Sequence, residues 1–240
     1  MKVGLFGANG RMGRVLVEAL DLSDDAQLSV ATVRDDSPWV GLNVGELADI
    51  GKKDVDCTAL SDLSGNDADV MIDFTLPSVI ESNLTWCVKN KMPVVIGTTG
   101  FTKKEDKLIK RYSKKIPILK AGNMSLGVNL LMYLTEIASQ SLNDEYLSKI
   151  FEKHHKHKKD HPSGTALMLG KGIADGKNKS LYNLIGKKFL NKKSFPYGKK
   201  INFNSIRKGE IIGEHEVKFS SGKEIITLNH EAFDRELYSD

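Results

Sequence analysis

Four of the six histidines in this chain lie between His154 and His161, where they are interleaved with lysines. The full block, residues 154–165, reads His-His-Lys-His-Lys-Lys-Asp-His-Pro-Ser-Gly-Thr. Histidine titrates near neutral pH and exchanges protons, and lysine supplies a point charge or a proton. A strand predicted over about 146–156 would place His154 and Lys158 on one face if it continued that far. The block therefore predicts proton transfer to a small anionic molecule.

The block ends in a sequence that begins a predicted helix over 163–173. Ser163, Gly164 and Thr165 would present backbone amides and hydroxyl groups that suit a carboxylate. A metal site is disfavoured because no acidic or cysteine cluster accompanies the histidines, and the lysines repel a cation. A solvated basic run and a nucleic-acid surface stay open, although no aromatic residues interleave the lysines for base stacking.

A glycine-rich turn with the spacing G-x-x-G-x-x-G lies near the N-terminus, between a predicted strand at 2–6 and a predicted helix at 11–20. Its residues are Gly7, Ala8, Asn9, Gly10, Arg11, Met12 and Gly13. Glycines allow the backbone to turn tightly and to approach a pyrophosphate, whose charge the helix N-terminus favours. Arg11 adds a cation that could contact phosphate. The context predicts a dinucleotide site, with a plain tight turn as the alternative.

The end of the second predicted strand, 28–33, bears on which dinucleotide is used. Arg34, Asp35 and Asp36 follow it directly. An acid at this place favours the free 2′-hydroxyl of NADH, whereas a cation accepts the 2′-phosphate of NADPH. Because both are present, NADPH and NADH both stay open as the cofactor.

A second glycine-flanked segment follows the strand predicted at 93–96. It consists of Gly97, Thr98, Thr99 and Gly100. Ligands of open α/β sheets bind outside the carboxyl ends of the strands, so these hydroxyls and amides suit nicotinamide or substrate. A glycine turn with threonine caps is the alternative.

The elements that would position these residues predict two domains. Strands alternate with helices over about the first 120 residues, which predicts a Rossmann-like parallel sheet with helices on both faces. After Asn123 a long helix is predicted over 126–139 and a loop over 177–200. The segments 201–207, 214–219 and 224–228 then alternate like strands of an antiparallel or mixed sheet. The fold class is therefore α/β, with a second, α+β domain containing a mixed sheet.

The composition is typical of a globular protein, and we expect the chain to stay in the cytoplasm. The 240 residues are 40% hydrophobic and 28% charged, and no apolar run is long enough to span a membrane. Two cysteines, Cys57 and Cys87, cannot form a disulfide framework. Residues 149–200 hold 14 lysines, no arginine and three acids, a net +11, whereas the rest of the chain is −7. This asymmetry predicts an anionic partner for the basic segment.

Taken together, the motifs resemble the dihydrodipicolinate reductase family of bacterial lysine biosynthesis. The matching blocks, in the order of the family, are Gly7–Gly13, Gly97–Phe101, Ala121–Asn129, His154–Lys158, Pro162–Ala166 and Gly209–His215. The histidine–lysine block is the most specific of them, and together they span most of the chain, from Gly7 to His215.

The resemblance implies a concrete reaction. Hydride from NADPH or NADH would reduce an unsaturated cyclic imine dicarboxylate, giving tetrahydrodipicolinate, with no metal, nucleic acid or membrane involved. His154 matches the family's proton donor and acceptor, and Lys158 its proton donor. His155 and the helix start Ser163, Gly164 and Thr165 match the substrate site. The cofactor residues implied are Gly7, Ala8, Asn9, Gly10, Arg11, Met12, Gly97, Thr98, Thr99, Ala121, Gly122, Asn123 and Met124. Arg34 and Asp35 are added as cofactor residues from the end of the second strand itself, which does not match the acid-then-arginine pair of some family members.

The resemblance also implies the domain limits and the assembly. Residues 1–124 would bind the dinucleotide, and residues 125–235 would bind substrate and build a homotetramer through their sheet. Residues 236–240 would begin a return to the first domain, whose usual glycine-led helix is absent. Another Rossmann-type oxidoreductase, such as an aspartate- or homoserine-dehydrogenase-like enzyme, is the alternative. A redox-sensing or nucleic-acid-binding protein is a third hypothesis.

Overall fold

The structure is a computed structural model that describes residues 1–65, 67–185 and 201–238. The chain divides into two compact units, Met1–Gly122 and Asn123–Tyr238. The predicted boundary after residue 124 lies two residues beyond this division. In the three described ranges, every helix is too short or too polar to span a lipid bilayer. Cys57 and Cys87 are both buried free thiols.

The first unit is built on a six-stranded parallel sheet with the strand order β3-β2-β1-β4-β5-β6. The strands are β1 (Lys2–Phe6), β2 (Gln27–Val33), β3 (Cys57–Ala59), β4 (Val70–Asp73), β5 (Val94–Ile96) and β6 (Ile118–Lys120). The helices are α1 (Arg11–Leu22), α2 (Val44–Leu47), α3 (Ile80–Lys89) and α4 (Lys103–Tyr112), with 3₁₀ turns at Leu60–Asp62 and Pro77–Val79.

Helices cover both faces of this sheet, as a parallel sheet requires. Leu5 of β1 packs with Leu16 and Val17 of α1 on one face. On the other face, Met71 of β4 packs with Leu84 of α3. The predicted Rossmann-like architecture is therefore confirmed for this unit. Thr102 and Glu105 form a capping box at the start of α4.

The second unit contains a mixed four-stranded sheet with the order β10-β9-β7-β8. Its elements are α5 (Leu126–Ser141), β7 (Leu147–His154), α6 (Gly164–Gly176), α7 (Leu181–Ile185), β8 (Ile201–Arg207), β9 (Gly213–Ser220) and β10 (Ile225–Ala232), with a 3₁₀ turn at Glu236–Tyr238. β7 pairs with β8 in parallel and with β9 antiparallel, and β9 pairs with β10 antiparallel.

The helix-facing side of this sheet holds the core of the second unit. Ile150 of β7 and Val217 of β9 pack against Leu169 and Ile173 of α6. Burial alternates along β7, with Ser148, Ile150, Glu152 and His154 all buried. The pleat of the strand therefore carries Glu152 and His154 to the same side as the apolar core.

Several element predictions are corrected by the structure. The strand predicted to reach residue 156 ends at His154, so Lys158 does not share its face. Part of the loop predicted over 177–200 is helix α7, and residues 186–200 lie outside the described residues. The strand predicted at 224–228 extends over β10 to Ala232. The short elements α2 and β3 were not predicted.

Candidate active site

The glycine turn of the first unit closes tightly against its own backbone. Gly7 adopts φ of +72°, a conformation that favours glycine, and its carbonyl oxygen accepts a hydrogen bond from Gly10 N at 2.9 Å. A Cβ added at Gly13 would lie closer than 3.0 Å to the carbonyl oxygens of Gly7 and Ala8. Gly10 caps α1 without a side-chain hydrogen bond among the described residues. The first-turn amides are therefore available to an anion, which fits the pyrophosphate of a dinucleotide.

The three charged residues that follow β2, at 34–36, make two separate contacts. Arg34 Nε lies 3.5 Å from Asp36 Oδ1, and both side chains are well exposed. Asp35 Oδ1 accepts a hydrogen bond from Ser61 N at 3.4 Å. The cation and the acids therefore remain side by side at the end of the strand, as the sequence predicts, and both cofactors stay possible.

A buried carboxylate organises the loop after β5. Asp73, at the end of β4, is fully buried, and its Oδ1 accepts hydrogen bonds from Thr75 Oγ1 at 2.5 Å and Thr98 Oγ1 at 3.1 Å. Its Oδ2 accepts from Asn83 Nδ2 at 2.9 Å, and its carbonyl oxygen accepts from Gly97 N at 2.9 Å. The Thr98 hydroxyl is thus engaged inside the unit, whereas Thr99 is exposed.

Asn123 connects two sets of predicted site residues within the second unit. Its Nδ2 donates to Thr165 Oγ1 at 3.2 Å, and its Oδ1 accepts from Ser125 N at 2.9 Å at the start of α5. Asn129 Nδ2 also donates to its carbonyl oxygen at 3.1 Å. A predicted cofactor residue is therefore held next to Thr165, a predicted substrate residue. Ala121 belongs to the first unit, where its amide donates to Ile96 O at 3.1 Å.

His154, the predicted proton carrier, is backed by a buried ion pair. Its Nδ1 hydrogen-bonds Oε2 of Glu152, whose side chain is 1% exposed. Arg207 NH1 and NH2 donate to Oε2 and Oε1 of Glu152 at 2.9 and 2.8 Å. Burial by itself raises the pKa of Glu152, but hydrogen bonds from His154 and Arg207 outweigh it and lower that pKa to about 2. Glu152 is therefore ionised at neutral pH.

Two more histidines continue this cluster across the sheet. The register pairs Glu152 with His215 on β9 and His215 with His230 on β10. The His215 ring lies edge-on to His154, with centroids 5.0 Å apart, and 6.3 Å from His230. Burial lowers the pKa of His215 to about 3, and the charge of His154 adds to the shift. Burial also lowers the pKa of His230. His215 is therefore neutral beside His154.

The remaining block residues form a turn and the start of α6. Lys158 N donates to His155 O at 3.2 Å, and Lys158 Nζ lies 2.9 Å from Asp160 Oδ1. Ser163 caps α6 by accepting from Ala166 N at 3.2 Å, and its own amide donates to Glu152 Oε1 at 3.2 Å. A Cβ at Gly164 would meet no atom within 4 Å. The helix start is therefore sterically open, with Thr165 beside it.

Family models match both units of the chain. The model for the N-terminus of dihydrodipicolinate reductase matches residues 1–124, and the model for its C-terminus matches residues 127–240. The chain belongs to the dihydrodipicolinate reductase family. The predicted family, oxidoreductase class and nicotinamide cofactor are thereby confirmed, and the alternative of another Rossmann-type oxidoreductase is not favoured.

Individual relatives of this family agree over nearly the whole chain. A 4-hydroxy-tetrahydrodipicolinate reductase of Pelagibacter ubique (strain HTCC1062) is 62% identical over 240 residues, covering 100% of this chain and 89% of the relative. One from Pseudoalteromonas atlantica (strain T6c / ATCC BAA-1087) is 42% identical, covering 98% and 88%. A dipicolinate-bound dihydrodipicolinate reductase structure from Paenisporosarcina sp. TG-14 has a TM-score of 0.75 at 24% identity, covering 100% and 90%, which shows the shared fold.

In this dihydrodipicolinate reductase family member, the sequence reasoning did not identify three residues that contact His154 or its partner Glu152. They are Glu152 itself, Arg207 and His215. Glu152 could have been found, because it lies two positions before His154 on a predicted strand and therefore shares its face. Arg207 and His215 come from β8 and β9, and only strand register brings them to β7. No local spacing in the sequence indicates that contact.

Proposed function

We propose that this chain transfers a hydride from NAD(P)H to the unsaturated cyclic imine dicarboxylate of the diaminopimelate and lysine pathway, giving tetrahydrodipicolinate. The observation that carries the proposal is the polar cluster of the second unit. His154, backed by ionised Glu152, lies in one segment with Lys158 and the open helix start at Gly164. A proton carrier, a cation and an anion-binding helix start are what a dianionic ring needs when it is reduced and protonated.

The cofactor is assigned to the glycine turn and to the loops that follow it. When bound, the reduced nicotinamide supplies the hydride to the substrate. Among residues 7–12, the amides at the start of α1 would hold the pyrophosphate, because those of Ala8 and Gly10 donate to Thr32 O and Gly7 O. Arg34 or Asp35 would contact the ribose at its 2′ position. Gly97, Thr99 and residues 121–124 would line the nicotinamide end. Thr98 would act there through its carbonyl group, since Asp73 accepts hydrogen bonds from both its hydroxyl and its amide.

The substrate carboxylates are assigned to the start of α6 and the turn before it. Gly164 and Thr165 would donate their amides, because the Ser163 cap takes up the amide of Ala166. Ser163 serves by holding that helix start in place. His155 and Lys158 would add positive charge beside a carboxylate.

The proton is assigned to His154 and Lys158. Hydride addition to the conjugated ring carbon leaves an extra electron pair on the ring, and a proton must combine with it. His154 donates that proton from its Nε2, because its Nδ1 is held by Glu152. Lys158, which matches the family's proton donor, lies in the same block, and its charge stabilises the anion before that single proton arrives.

The assembly is proposed to be a homotetramer in the cytoplasm. The outer face of the second sheet carries both signs of charge, in the pairs Lys153–Glu214 and Lys218–Glu216. Such a face suits a self-complementary contact between copies related by a two-fold axis. Sedimentation at several concentrations tests this, and a monomer at micromolar concentration would contradict it.

The experiment that tests the function follows NADPH and NADH oxidation. Purified protein is mixed with aspartate semialdehyde, pyruvate and the upstream synthase, and absorbance of the reduced nicotinamide is recorded. We expect oxidation that depends on the synthase. His154→Gln and Lys158→Ala should each lower kcat about 100-fold or more while leaving the Kd of the cofactor nearly unchanged.

Lys171→Ala is the matched control for Lys158→Ala. Lys171 also pairs with an acid, Asp175, but on the exposed side of α6. It should leave kcat unchanged. The proposal fails if the wild type oxidises neither nicotinamide, and the assigned proton carrier is wrong if folded His154→Gln turns over normally.

A further inference from the structure

The ionised carboxylate behind His154 fixes which ring nitrogen carries a proton. Both oxygens of Glu152 are occupied by donors, from Arg207 at 2.8 and 2.9 Å and from Ser163 N at 3.2 Å. A carboxylate held this way is an acceptor only. The Nδ1 of His154 must therefore donate to it, and the neutral ring is protonated at Nδ1 with its lone pair on Nε2.

The space beside Nε2 is kept open by a glycine. A Cβ added at Gly213, the first residue of β9, would lie 3.3 Å from Nε2 of His154. Any side chain there would therefore crowd the nitrogen that faces away from Glu152. His154 itself remains 8% exposed. Nδ1 of His154 is thus held by Glu152, whereas Nε2 lies next to Gly213, which has no side chain.

Among the described residues, the other ionisable groups near the His154 ring are either neutral or engaged with other partners. His215 on β9 contacts His154 and is neutral, and His230 on β10 lies beyond it. Lys158, in the turn after β7, carries its charge close to Asp160. Arg207 is committed to Glu152 and to the carbonyl oxygen of Asp160. Glu152 is therefore the group that hydrogen-bonds His154.

We propose that Glu152, clamped by Arg207, is a positioning residue that sets the tautomer of His154 and directs Nε2 to the substrate. This inference rests on the proposed function, since it describes how the assigned proton carrier is prepared. In each turnover Nε2 gives a proton to the reduced ring and then regains one from solvent, while the Nδ1–H bond is never broken. Glu152 stays ionised and gains no proton itself.

The first test reads the tautomer directly in the wild-type protein. Long-range ¹H–¹⁵N correlation spectra of histidine-labelled protein, in alkaline buffer where imidazole is neutral, distinguish Nδ1–H from Nε2–H rings. His154→Gln assigns the signal. We expect Nδ1–H for His154, and an Nε2–H ring would overturn the inference whatever the activity. This reading needs no substituted Glu152, so an unfolded variant cannot leave the question undecided.

The second test replaces the carboxylate with an amide. In Glu152→Gln, Arg207 takes the amide oxygen, so the amide NH₂ faces Nδ1 and His154 must switch to the Nε2–H form. We expect the switched signal, a fall in kcat of about 100-fold, and a change in cofactor KM of less than about 3-fold. An unchanged tautomer with kcat within about 2-fold of the wild type would overturn the inference.

Asp175→Asn is the matched control for this variant. Asp175 also forms an ion pair, with Lys171, but on the exposed side of α6. It should leave the tautomer and kcat unchanged. Failure of the proposed function is recognised separately, by a wild type that reduces no substrate or by a fully active His154→Gln, because the tautomer signal does not depend on turnover.

Discussion

At the scale of single residues, His215 is the least expected member of the site. It is 2% exposed, and neither ring nitrogen has a hydrogen-bond partner within the described part of the chain. Burial lowers its pKa from 6.5 to about 3, and His154 contributes to the shift. Below about pH 6.5 the His215 side chain binds a proton in the unfolded chain, whereas in the folded protein it stays neutral until the pH approaches 3. His215 therefore makes folding less favourable as the pH falls.

This linkage gives a prediction for His215→Gln. Between about pH 6.5 and pH 4.5, the wild-type free energy of unfolding should fall by up to about 1.4 kcal/mol per pH unit from this residue, with His230 adding in the same direction. The variant should show a shallower fall, measured by urea unfolding at several pH values. The exposed His157→Gln serves as control and should keep the wild-type slope. Parallel curves for wild type and His215→Gln would contradict the prediction.

The residues that could be proposed from the sequence lie in one short block, whereas those that could not are far from their partners along the chain. His154 and Lys158 could be proposed from their types and spacing, because proton carriers and cations stand out in a short block. Arg207 could not, because its partner Glu152 is 55 positions away in the chain. A buried charge is tolerated only with such a partner, and strand register alone supplies it.

At the scale of elements, the turn between β1 and α1 is the most constrained segment. Gly13→Ala would place a Cβ closer than 3.0 Å to two backbone carbonyl oxygens, which cannot move as a side chain can. We expect a loss of roughly 1–3 kcal/mol in stability and at least a tenfold rise in cofactor KM, with kcat less affected. Gly222→Ala, in the turn between β9 and β10, meets nothing within 4 Å and is the control. Equal cofactor KM for Gly13→Ala and wild type would refute this role.

The elements also show where local patterns lose their predictive value. The β1–α1 turn was predictable because strand, glycines and helix follow one another directly. The end of β7 at His154 was not predictable from local patterns. Lys156 N still donates to Gly209 O at 3.0 Å, but the chain turns there, and Lys158 N donates to His155 O at 3.2 Å. This turn moves Lys158 off the strand. Helix α7 and strand β3 have only five and three residues, too few for a periodic signal.

At the scale of the whole molecule, the excess positive charge belongs to the second unit. Residues 123–240 carry 19 basic and 14 acidic side chains, a net +5, whereas residues 1–122 carry 16 and 17, a net −1. Several lysines of the described part are paired, such as Lys156 with Glu210 and Lys171 with Asp175. These ion pairs do not change the net charge of the unit, which remains positive. Lys158, in the turn after β7, adds a cation to the segment that holds His154, and a dianionic ligand is therefore attracted there.

This attraction predicts how ligand binding responds to salt. Dipicolinate, a ring with two carboxylates, should bind less tightly as the salt concentration rises from about 50 mM to about 500 mM, with Kd increasing several-fold, because ions screen its attraction to the unit. Picolinate, with one carboxylate, should respond less steeply. Calorimetric titration measures both. Lys158→Ala should flatten the dipicolinate response because it removes a nearby charge, whereas Lys171→Ala on the exposed side of α6 should change it less. Equal slopes for the two ligands would show that net charge does not guide binding, and the contacts at Gly164 and Thr165 would then have to supply the selectivity alone.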